Sequence, residues 1–340
     1  MSTLSSSASS DRYSTSNRLD IDYLLDVQQI EQDDIQDVIS GFSQTPKVIP
    51  ARYFYDAQGS ELFEAICQLP EYYPTRTEAS ILKEHATSIM TQTKAVELVE
   101  LGSGSSTKTR YLLDAHTKNI NCPLYYVPVD VSDSILQASA KDLLTDYPQL
   151  KIQGKVATYS KALEQLASSS LGRRLIIFLG SSIGNFNPEE CDRLINQVTS
   201  ALNPGDYFLL GIDLQKQVSI LEAAYNDTEG ITAKFNLNML QHLNHHFAGN
   251  FNLDLFKHQA IYNQAQDQIE MYLISQQQQT VTFADLNFTI NLQQNEAILT
   301  EISRKFKLET IAKLLKNHDL NLIENYTDKR QWFGLILCQK

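Results

Sequence analysis

Short apolar segments and amphipathic segments alternate along the middle of the chain. Four apolar runs are predicted to be strands: residues 95–101, 124–129, 175–179 and 207–212. The third run, LIIFL, has no polar position, as expected for a strand that is buried on both faces. The intervening segments show helical spacing. Strands that alternate with helices form βαβ units around a parallel sheet, so we predict an α/β, Rossmann-like domain at residues 76–213.

The rest of the chain does not continue this alternation. Residues 20–43 place apolar side chains at helical spacing, which predicts one or two amphipathic helices. Thr77 is a candidate N-cap for a helix that starts at about Glu78. Residues 219–247 are predicted to be helical, with a break near Gly230.

In the C-terminal third, we predict strands at residues 269–275, 279–283, 288–292, 320–326 and 333–338. One helix is predicted there, at residues 308–317. We assign residues 19–75 and 214–340 together to a second, α+β domain that binds the substrate. The terminal strand pair could instead complete the first sheet, and the sequence leaves both arrangements open. Small polar residues fill positions 1–18, which predicts a disordered tail.

Charge and composition restrict the function. The 340 residues carry a formal net charge of −12, which disfavours a polyanionic partner such as nucleic acid. No apolar run reaches the roughly 18 residues of a membrane span, and the N-terminus lacks the apolar core of a signal peptide. The four cysteines are widely spaced, as expected for reduced thiols. We expect a cytoplasmic protein that binds neither nucleic acid nor membrane, and we expect it to be a monomer.

A glycine-rich turn, ELGSGSSTK at Glu100–Lys108, follows the first strand of the predicted α/β domain. Glycines let the backbone bend sharply and approach a ligand without a Cβ clash. Asp130 ends the second strand, where an acidic side chain can accept hydrogen bonds from both hydroxyls of a ribose. The turn and the acidic residue together indicate a nucleotide-type ligand at the carboxyl ends of the strands.

This turn favours S-adenosylmethionine over a dinucleotide. A dinucleotide fold uses G-x-G-x-x-G, and Thr107 occupies the third glycine position here. A glutamate before the first glycine and a ribose-binding acid on the next strand fit S-adenosylmethionine better. Lys108 is a candidate ligand for the methionine carboxylate, with a solvated helix lysine as the alternative. A turn that only packs is the alternative for the motif as a whole.

Several further stretches occur along the chain in a fixed order: Tyr53–Asp56 with Gly59 and Ser60, Leu69–Arg76, Glu100–Gly104, Phe178–Asn185, Ala224–Asp227, Lys234–Asn236, Ile269–Met271 and Leu299–Ser303. From about Pro50 to the C-terminus, the chain resembles the histidine-specific Nα-methyltransferases, which open ergothioneine biosynthesis. The resemblance implies trimethylation of the α-amino group of L-histidine to hercynine. It also implies S-adenosylmethionine as the methyl donor and no metal.

The resemblance assigns roles to individual residues. The positions that hold S-adenosylmethionine are Gly102, Lys108 and Asp130. The positions that contact the substrate are Tyr72, Gly180, Asn185, Tyr225, Met271, Glu301 and Ser303. Tyr55 matches a tyrosine near the reacting nitrogen and is the candidate catalytic residue.

One position departs from the family pattern. The family commonly has an aspartate followed by an aromatic residue at the end of the third strand, where the pair contacts adenine. This chain has Thr158 and Tyr159 there. A hydroxyl without a charge would contact adenine more weakly, and backbone groups of the same turn could take its place.

The chemistry of histidine recognition agrees with the residue types. Residues two apart on a strand face the same side, so Glu301 and Ser303 can act together. A carboxylate can accept one imidazole N–H while a hydroxyl pairs with the other ring nitrogen. An indole, as in a prenylated tryptophan, offers a single N–H and pairs less well. Without the resemblance, a solvated strand face would be the preferred interpretation.

Methyl transfer to an amine also needs a neutral nitrogen aimed at the methyl carbon. Tyr55 is a candidate proton relay, but an ordinary pKa near 10 makes it a weak base. Loss of the proton to water is an equal alternative, and packing is a third. The aromatic faces of Tyr55, Tyr72 and Tyr225 would suit a quaternary ammonium product.

Other functions remain open at this stage. They are Nα-methylation of another aromatic amino acid, non-catalytic binding of S-adenosylmethionine, and a nicotinamide dehydrogenase. The last would require the missing third glycine. His242, His245 and His246 share one helix face but lack the H-E-x-x-H arrangement, so we interpret them as a surface cluster rather than a zinc site.

Overall fold

The computed structural model describes residues 18–25, 27–119, 123–166 and 171–340. The predicted tail therefore lies outside the described residues except for Arg18, whose guanidinium donates to backbone carbonyls at residues 144–150. The strands, in chain order β1 to β14, are Leu19–Tyr23, Lys47–Val48, Glu97–Leu101, Tyr125–Asp130, Lys151–Val156, Arg174–Phe178, Tyr207–Asp213, Phe256–Asn263, Gln268–Ser275, Gln279–Phe283, Phe288–Leu292, Ala297–Arg304, Asn321–Thr327 and Phe333–Gln339.

The helices are named α1 to α10 in chain order. They are Val27–Ser43, Ala57–Gln68, Tyr73–Thr93, Arg110–Asn119, Asp133–Asp146, Tyr159–Glu164, Pro188–Ala201, Val218–Ala223, Ile231–His246 and Leu308–Asn317. None of these helices, in the part of the chain that the structure describes, is long and apolar enough to cross a membrane.

A large, mostly parallel sheet forms the first layer of the fold. Its strand order is β1-β5-β4-β3-β6-β7-β14-β13, and all of these strands run in one direction except β14, which is antiparallel to both β7 and β13. Neighbouring residues of one strand enter opposite cores, as Leu98 packs with α3 and α4 while Val99 packs with α7 and α10. This doubly covered sheet is the Rossmann-like arrangement expected from the apolar strand runs, and the predicted α/β fold class is confirmed.

A second sheet, of order β2-β12-β9-β8, stands beside the hairpin of β10 and β11. Its core takes residues from α1, α2 and α9, including Phe42, Phe235 and Met239, together with Met271 of β9. N-terminal and C-terminal segments therefore share one apolar cluster, because neither segment buries its apolar face alone.

The two sheets are joined by backbone hydrogen bonds at the end of β7. The Phe306 N–H donates to the carbonyl of Asp213 (2.9 Å), and the Gln215 N–H donates to the carbonyl of Phe306 (3.0 Å). Close by, Gly184 lies against the backbone of Arg304 at the end of β12. The carboxyl ends of β6 and β7 consequently face β12 across a narrow space.

Some element boundaries differ from the sequence predictions. Residues 20–43 contain β1 before α1, and α3 begins at Tyr73 rather than at Glu78. Thr77 is therefore not an N-cap. Its hydroxyl donates to the Tyr73 carbonyl inside the helix (2.8 Å). The reason is that Pro74 fits the first helical turn, where its missing N–H needs no partner.

The large sheet extends past the range 76–213 in both directions along the chain. β1 pairs with β5 at one edge, and β14 pairs with β7 near the other. The terminal strand pair thus completes the first sheet, which is the arrangement that the sequence had left open. Residues 218–304 and the segment from α1 to α2 supply the second sheet and most of the helices that pack on it, whereas α10 packs on the large sheet.

The contact at Gly184 provides a test of how the sheets are joined. A Cβ at this position would lie 2.9 Å from the Arg304 carbonyl oxygen and 3.2 Å from its nitrogen. Backbone atoms cannot move aside cheaply, so we expect Gly184→Ala to lower the free energy of unfolding by about 1–3 kcal/mol. Urea unfolding would measure this change. Gly334→Ala is the control, because its nearest neighbour is a Leu308 methyl that can shift, and an equal loss there would contradict the interpretation.

Candidate active site

A cavity lies where the carboxyl ends of β6 and β7 face β12. It is lined by all eight residues that the sequence assigned to catalysis and substrate binding: Tyr55, Tyr72, Gly180, Asn185, Tyr225, Met271, Glu301 and Ser303. These residues come from six separate parts of the chain. The fold therefore brings together a set that sequence spacing alone could not place in one site.

Glu301 and Ser303 form the wall contributed by β12. A register shift between Leu299 and Glu301 interrupts the pairing with β9, after which Glu301 stands opposite Met271. Thr300 is buried and its hydroxyl donates to the Met271 carbonyl (3.0 Å). The shift sets which residues face the cavity, and Glu301 and Ser303 share that face.

The carboxyl group of Glu301 is poised near neutrality. Burial raises the pKa of Glu301 to about 7, and the positive charge of Lys305 limits the rise. Both protonation states are therefore accessible at physiological pH. A ligand that offers an N–H to Glu301 would favour the ionised carboxylate.

Aromatic side chains form the opposite wall. Tyr55, Phe63, Tyr72, Tyr225 and Phe235 all line the cavity, and neighbouring rings meet edge-on at centroid distances of 5.9 to 6.2 Å. Desolvation, followed by the charge of Glu301, raises the pKa of Tyr55 above its ordinary value, although 49% of the residue is exposed and solvent weakens this effect. Neither influence makes Tyr55 a better proton acceptor than a free tyrosine.

Helix caps hold two of these tyrosines in place. Asp56, directly after Tyr55, accepts from the Gly59 N–H at the start of α2 (2.7 Å) and from the side chain of Asn238 (2.8 Å). On the other side, Asp227 caps α9 through the N–H groups of Ile231 and Thr232, both at 2.8 Å. These polar residues explain why the chain turns at Tyr55 and just after Tyr225.

A buried cluster of charges lies behind Ser303 and Tyr225. The Lys305 ammonium forms an ion pair with Asp213 (2.9 Å) and donates to Ser303 Oγ (2.8 Å) and Tyr225 Oη (3.1 Å). Burial alone would raise the pKa of Asp213, but the ammonium groups of Lys305 and Lys216 hold it below its ordinary value. Asp213 and Lys305 therefore remain ionised together.

Gly180 and Asn185 belong to the turn after β6. Gly180 has a φ of +78°, Ser181 is also left-handed, and Asn185 ends a short 3-10 helix at Ser182–Asn185. The Gly180 N–H donates to the fully buried carboxylate of Glu78 (2.9 Å). Glu78 also pairs with Lys108, so the α3 carboxylate links this turn to the glycine-rich turn.

The glycine-rich turn has the geometry that the sequence indicates. Gly102 has a φ of +72°, and a Cβ there would lie 2.8 Å from the Tyr159 hydroxyl oxygen. The Gly104 N–H donates to Asp130 Oδ2 (2.9 Å), and the Ser132 N–H donates to Oδ1 (3.0 Å). Each carboxylate oxygen keeps a further lone pair, which a ligand hydroxyl could use.

Glu100, by contrast, serves the structure of the turn. Its buried carboxylate accepts from the hydroxyl groups of Thr109 (2.6 Å) and Tyr126. Burial raises the pKa of Glu100 to about 7, and these hydrogen bonds oppose the rise. The glutamate therefore braces the start of α4 against the sheet.

Thr158 and Tyr159 follow β5, as the sequence predicted for the departing position. The Thr158 hydroxyl caps α6 by accepting from the Lys161 N–H (3.4 Å), and the residue is exposed. Tyr159 packs edge-on against Phe178 at a centroid distance of 5.3 Å. Of the two, Tyr159 lies closer to the glycine-rich turn, through its contact with Gly102.

Several residues of this region were not predicted from the sequence. Lys305 has the same strand parity as Glu301 and Ser303, and an inward-facing lysine beside an inward-facing glutamate was an available signal. Thr232 lines the cavity, and its buried hydroxyl has no partner among the described residues. Glu78 gave no signal, because a glutamate in an amphipathic helix normally faces solvent. Within the described residues, no group of three or more His, Cys, Asp or Glu side chains could hold a metal ion.

Comparison with known proteins identifies the family of this chain. Residues 34–340 match the family described as histidine-specific, S-adenosylmethionine-dependent methyltransferase. The histidine N-alpha-methyltransferase of Mycobacterium tuberculosis is 40% identical over 307 residues, which cover 90% of this chain and 94% of that protein. Its counterpart in Mycolicibacterium smegmatis is 39% identical, covering 89% and 94%.

A fungal relative is much longer than this chain. Ergothioneine biosynthesis protein 1 of Schizosaccharomyces pombe is 28% identical over 288 residues, which cover 82% of this chain and 37% of that protein. The family match includes every cavity residue described above and all strands of both sheets except β1. The chain belongs to the histidine-specific, S-adenosylmethionine-dependent methyltransferase family.

Proposed function

We propose that this enzyme transfers three methyl groups from S-adenosylmethionine to the α-amino group of L-histidine and forms hercynine, the first step of ergothioneine biosynthesis. The observation that carries the proposal is the pair Glu301 and Ser303, side by side on one cavity wall. The names of the two mycobacterial relatives support the same substrate.

The imidazole ring fits this pair chemically. Glu301 can accept the ring N–H, and Ser303 can pair with the second ring nitrogen. An indole would leave Ser303 without a ring partner inside a buried site, which costs binding energy. Nα-methylation of another aromatic amino acid is the second candidate. The observation that favours it is the aromatic wall of the cavity, which can pack against any planar ring.

S-adenosylmethionine fits the turn region. Asp130 has lone pairs left for ribose hydroxyls, Lys108 supplies a positive charge for a carboxylate, and the space beside Gly104 is open. The buried Ser103 hydroxyl has no partner within the described residues, and a polar ligand would satisfy it. Bound there, S-adenosylmethionine supplies an electrophilic methyl group on a sulfonium.

The protein's own part in the reaction is orientation and exclusion of water. The Asn185 side chain and the Gly180 turn can hold the substrate carboxylate and amino group between the two sheets. Tyr55, Tyr72 and Tyr225 surround the amino end and can direct its lone pair. Because the pKa of Tyr55 is raised, we assign it an orienting role, with the amine proton leaving to water before the substrate is enclosed.

The aromatic wall also suits the later methylation steps. Each methyl group removes an N–H donor, and the final quaternary ammonium has none. Aromatic faces attract such a cation by about 0.5–2 kcal/mol each without needing a hydrogen bond. The same tyrosines can therefore receive the amine as a hydrogen-bonding group and retain it as a cation.

The substrate assignment can be tested with the purified protein. Incubation with S-adenosylmethionine and each of the 20 amino acids, followed by mass spectrometry, should show a gain of three methyl groups on histidine alone. Glu301→Ala should lower kcat/KM for histidine about 10- to 100-fold, the value of one hydrogen bond to a charged group. Glu309→Ala, at an exposed position of α10, should leave it unchanged. Methylation of a different amino acid instead of histidine would contradict the proposal.

The raised pKa of Glu301 predicts a pH dependence. As pH rises through about 7, Glu301 loses its proton and becomes the acceptor that imidazole requires, so kcat/KM should rise. Free histidine also loses a proton in this range, because its imidazole has an ordinary pKa of about 6.5, and this adds a second rise to the pH profile of kcat/KM. In Glu301→Gln, the rise due to the substrate should remain and the rise due to Glu301 should be absent. Identical pH profiles for the two proteins would show that Glu301 does not titrate in this reaction.

The ligand role of Asp130 can be measured without turnover. Asp130→Ala should weaken binding of S-adenosylhomocysteine at least about tenfold in calorimetry, because the ribose loses hydrogen bonds to a charged group. Asp142→Ala, at an exposed position of α5, is the matched control. Equal affinities for both variants would place the ribose elsewhere.

A further inference from the structure

The Lys305 ammonium uses all of its donors in fixed directions. It has three N–H groups and no lone pair, and three acceptors lie around it: Asp213 Oδ2 at 2.9 Å, Ser303 Oγ at 2.8 Å and Tyr225 Oη at 3.1 Å. Ser303 and Tyr225 must therefore accept hydrogen bonds from Lys305, and neither can donate to it.

The hydrogen bonds from Lys305 restrict the directions in which the hydroxyl groups of Ser303 and Tyr225 can donate. The Tyr225 hydroxyl donates to Ser303 Oγ at 2.9 Å. Both lone pairs of Ser303 are therefore occupied, one by the Lys305 ammonium and one by the Tyr225 hydroxyl. The Ser303 hydrogen is then directed to the cavity, where Ser303 acts as a donor and Tyr225 keeps one lone pair as an acceptor.

Asp213 holds Lys305 in this position. Its carboxylate also accepts from the Tyr73 hydroxyl (2.7 Å) and from Lys216 (2.5 Å), and its backbone N–H donates to Ser181 Oγ (2.8 Å). The charged and titratable groups that face this part of the cavity are thus Asp213, Lys216, Lys305 and Glu301, together with Tyr55, Tyr72, Tyr73 and Tyr225. Because Asp213 holds the Lys305 ammonium in this position, the ammonium keeps donating to Ser303 Oγ, and the Ser303 hydroxyl remains a donor toward the cavity.

We propose that Lys305 is a positioning residue that makes Ser303 a hydrogen-bond donor, so that the site takes the imidazole as a neutral ring with its N–H on Glu301 and its unprotonated nitrogen on Ser303. This inference rests on the proposed function. An imidazolium would place a second N–H against the Ser303 hydrogen and close to the Lys305 charge. The arrangement therefore selects one tautomer of the uncharged ring.

Nitrogen NMR of bound histidine tests the inference directly. Histidine labelled with ¹⁵N in the ring would be added to the full chain with S-adenosylhomocysteine, because ring ¹⁵N shifts distinguish an N–H nitrogen from an unprotonated one. In the unmodified protein, we expect one nitrogen of each kind at pH about 6, where most of the free ring is protonated. The bound ring should titrate at least about one pH unit below the free ring.

Variants separate positioning from simple structural support. Lys305→Met removes the donors and the charge and frees a lone pair of Ser303, so the bound ring should become protonated at pH about 6, with at least about a tenfold change in the ratio of its two forms. Lys307→Met makes the same chemical change at an exposed position two residues away and should leave the spectrum unchanged. If Lys305→Met fails to fold, the double variant Asp213→Asn with Lys305→Met removes both members of the buried Asp213–Lys305 ion pair, leaves Lys216 bonded to the Leu214 carbonyl and the Tyr73 hydroxyl, and gives the same readout.

Each result has a defined meaning. A neutral single tautomer in the unmodified protein and a protonated or mixed ring in Lys305→Met would support the inference. A cationic ring in the unmodified protein would overturn it, as would a Lys305→Met spectrum identical to that of the unmodified protein. If S-adenosylhomocysteine binds but labelled histidine does not, the proposed substrate itself is wrong and the inference falls with it.

Discussion

The buried ion pair between Asp213 and Lys305 links the two sheets and the substrate wall. Asp213 ends β7 of the large sheet, and Lys305 directly follows β12 of the second sheet. A buried ion pair costs desolvation energy that only good geometry and further hydrogen bonds repay. Those bonds come from Tyr73, Lys216, Ser303 and Tyr225. Removing either charge would thus disturb the sheet junction and the substrate contacts together.

The two sheets divide the proposed chemistry between them. At the carboxyl ends of its strands, the large sheet presents Gly102 directly after β3, Asp130 as the last residue of β4, and Gly180 in the turn after β6. The second sheet presents side chains from β9 and β12, with the aromatic residues of the α2 and α9 region opposite. Glu78 of α3 forms an ion pair with Lys108 after the glycine-rich turn and accepts a hydrogen bond from the Gly180 N–H in the turn after β6, so α3 is linked to both turns. Methyl donor and acceptor would accordingly meet at the seam between the sheets, where water can be excluded from the reacting atoms.

The sequence predicted the parts of this molecule whose signals are local. Uninterrupted apolar runs such as residues 175–179 predict buried strands, and the glycine-rich turn predicts the ligand end of the sheet. The edge strand β1 was missed because LDIDY was read together with the helical pattern that follows it, although its alternation of apolar and acidic residues is the spacing of a strand. The place of the terminal strands in the sheet could not be decided, since strand order depends on pairing between distant segments. The start of α3 was predicted at about Glu78 instead of Tyr73, because threonine is a more usual N-cap than the residues before Pro74.

The site was predictable to the extent that residue types carry chemistry. Glu301 and Ser303 could be paired from strand spacing, and the resemblance supplied the partners from elsewhere in the chain. Lys305 and Asp213 form their contact across 92 positions of sequence, and nothing local marks Asp213 as its partner. The register shift before Glu301 was equally hidden, although it decides which residues of β12 face the cavity. Long-range contacts therefore set the details that local patterns leave open.

The most direct test of the proposed function is a crystal structure of the enzyme with L-histidine and S-adenosylhomocysteine. We expect the imidazole between Glu301 and Ser303, the carboxylate toward Asn185, and the α-amino nitrogen among the tyrosines, pointing to the sulfur above the glycine-rich turn. A histidine bound outside this cavity, or one whose ring lies toward Asn185 and whose amino group lies toward Glu301, would contradict it.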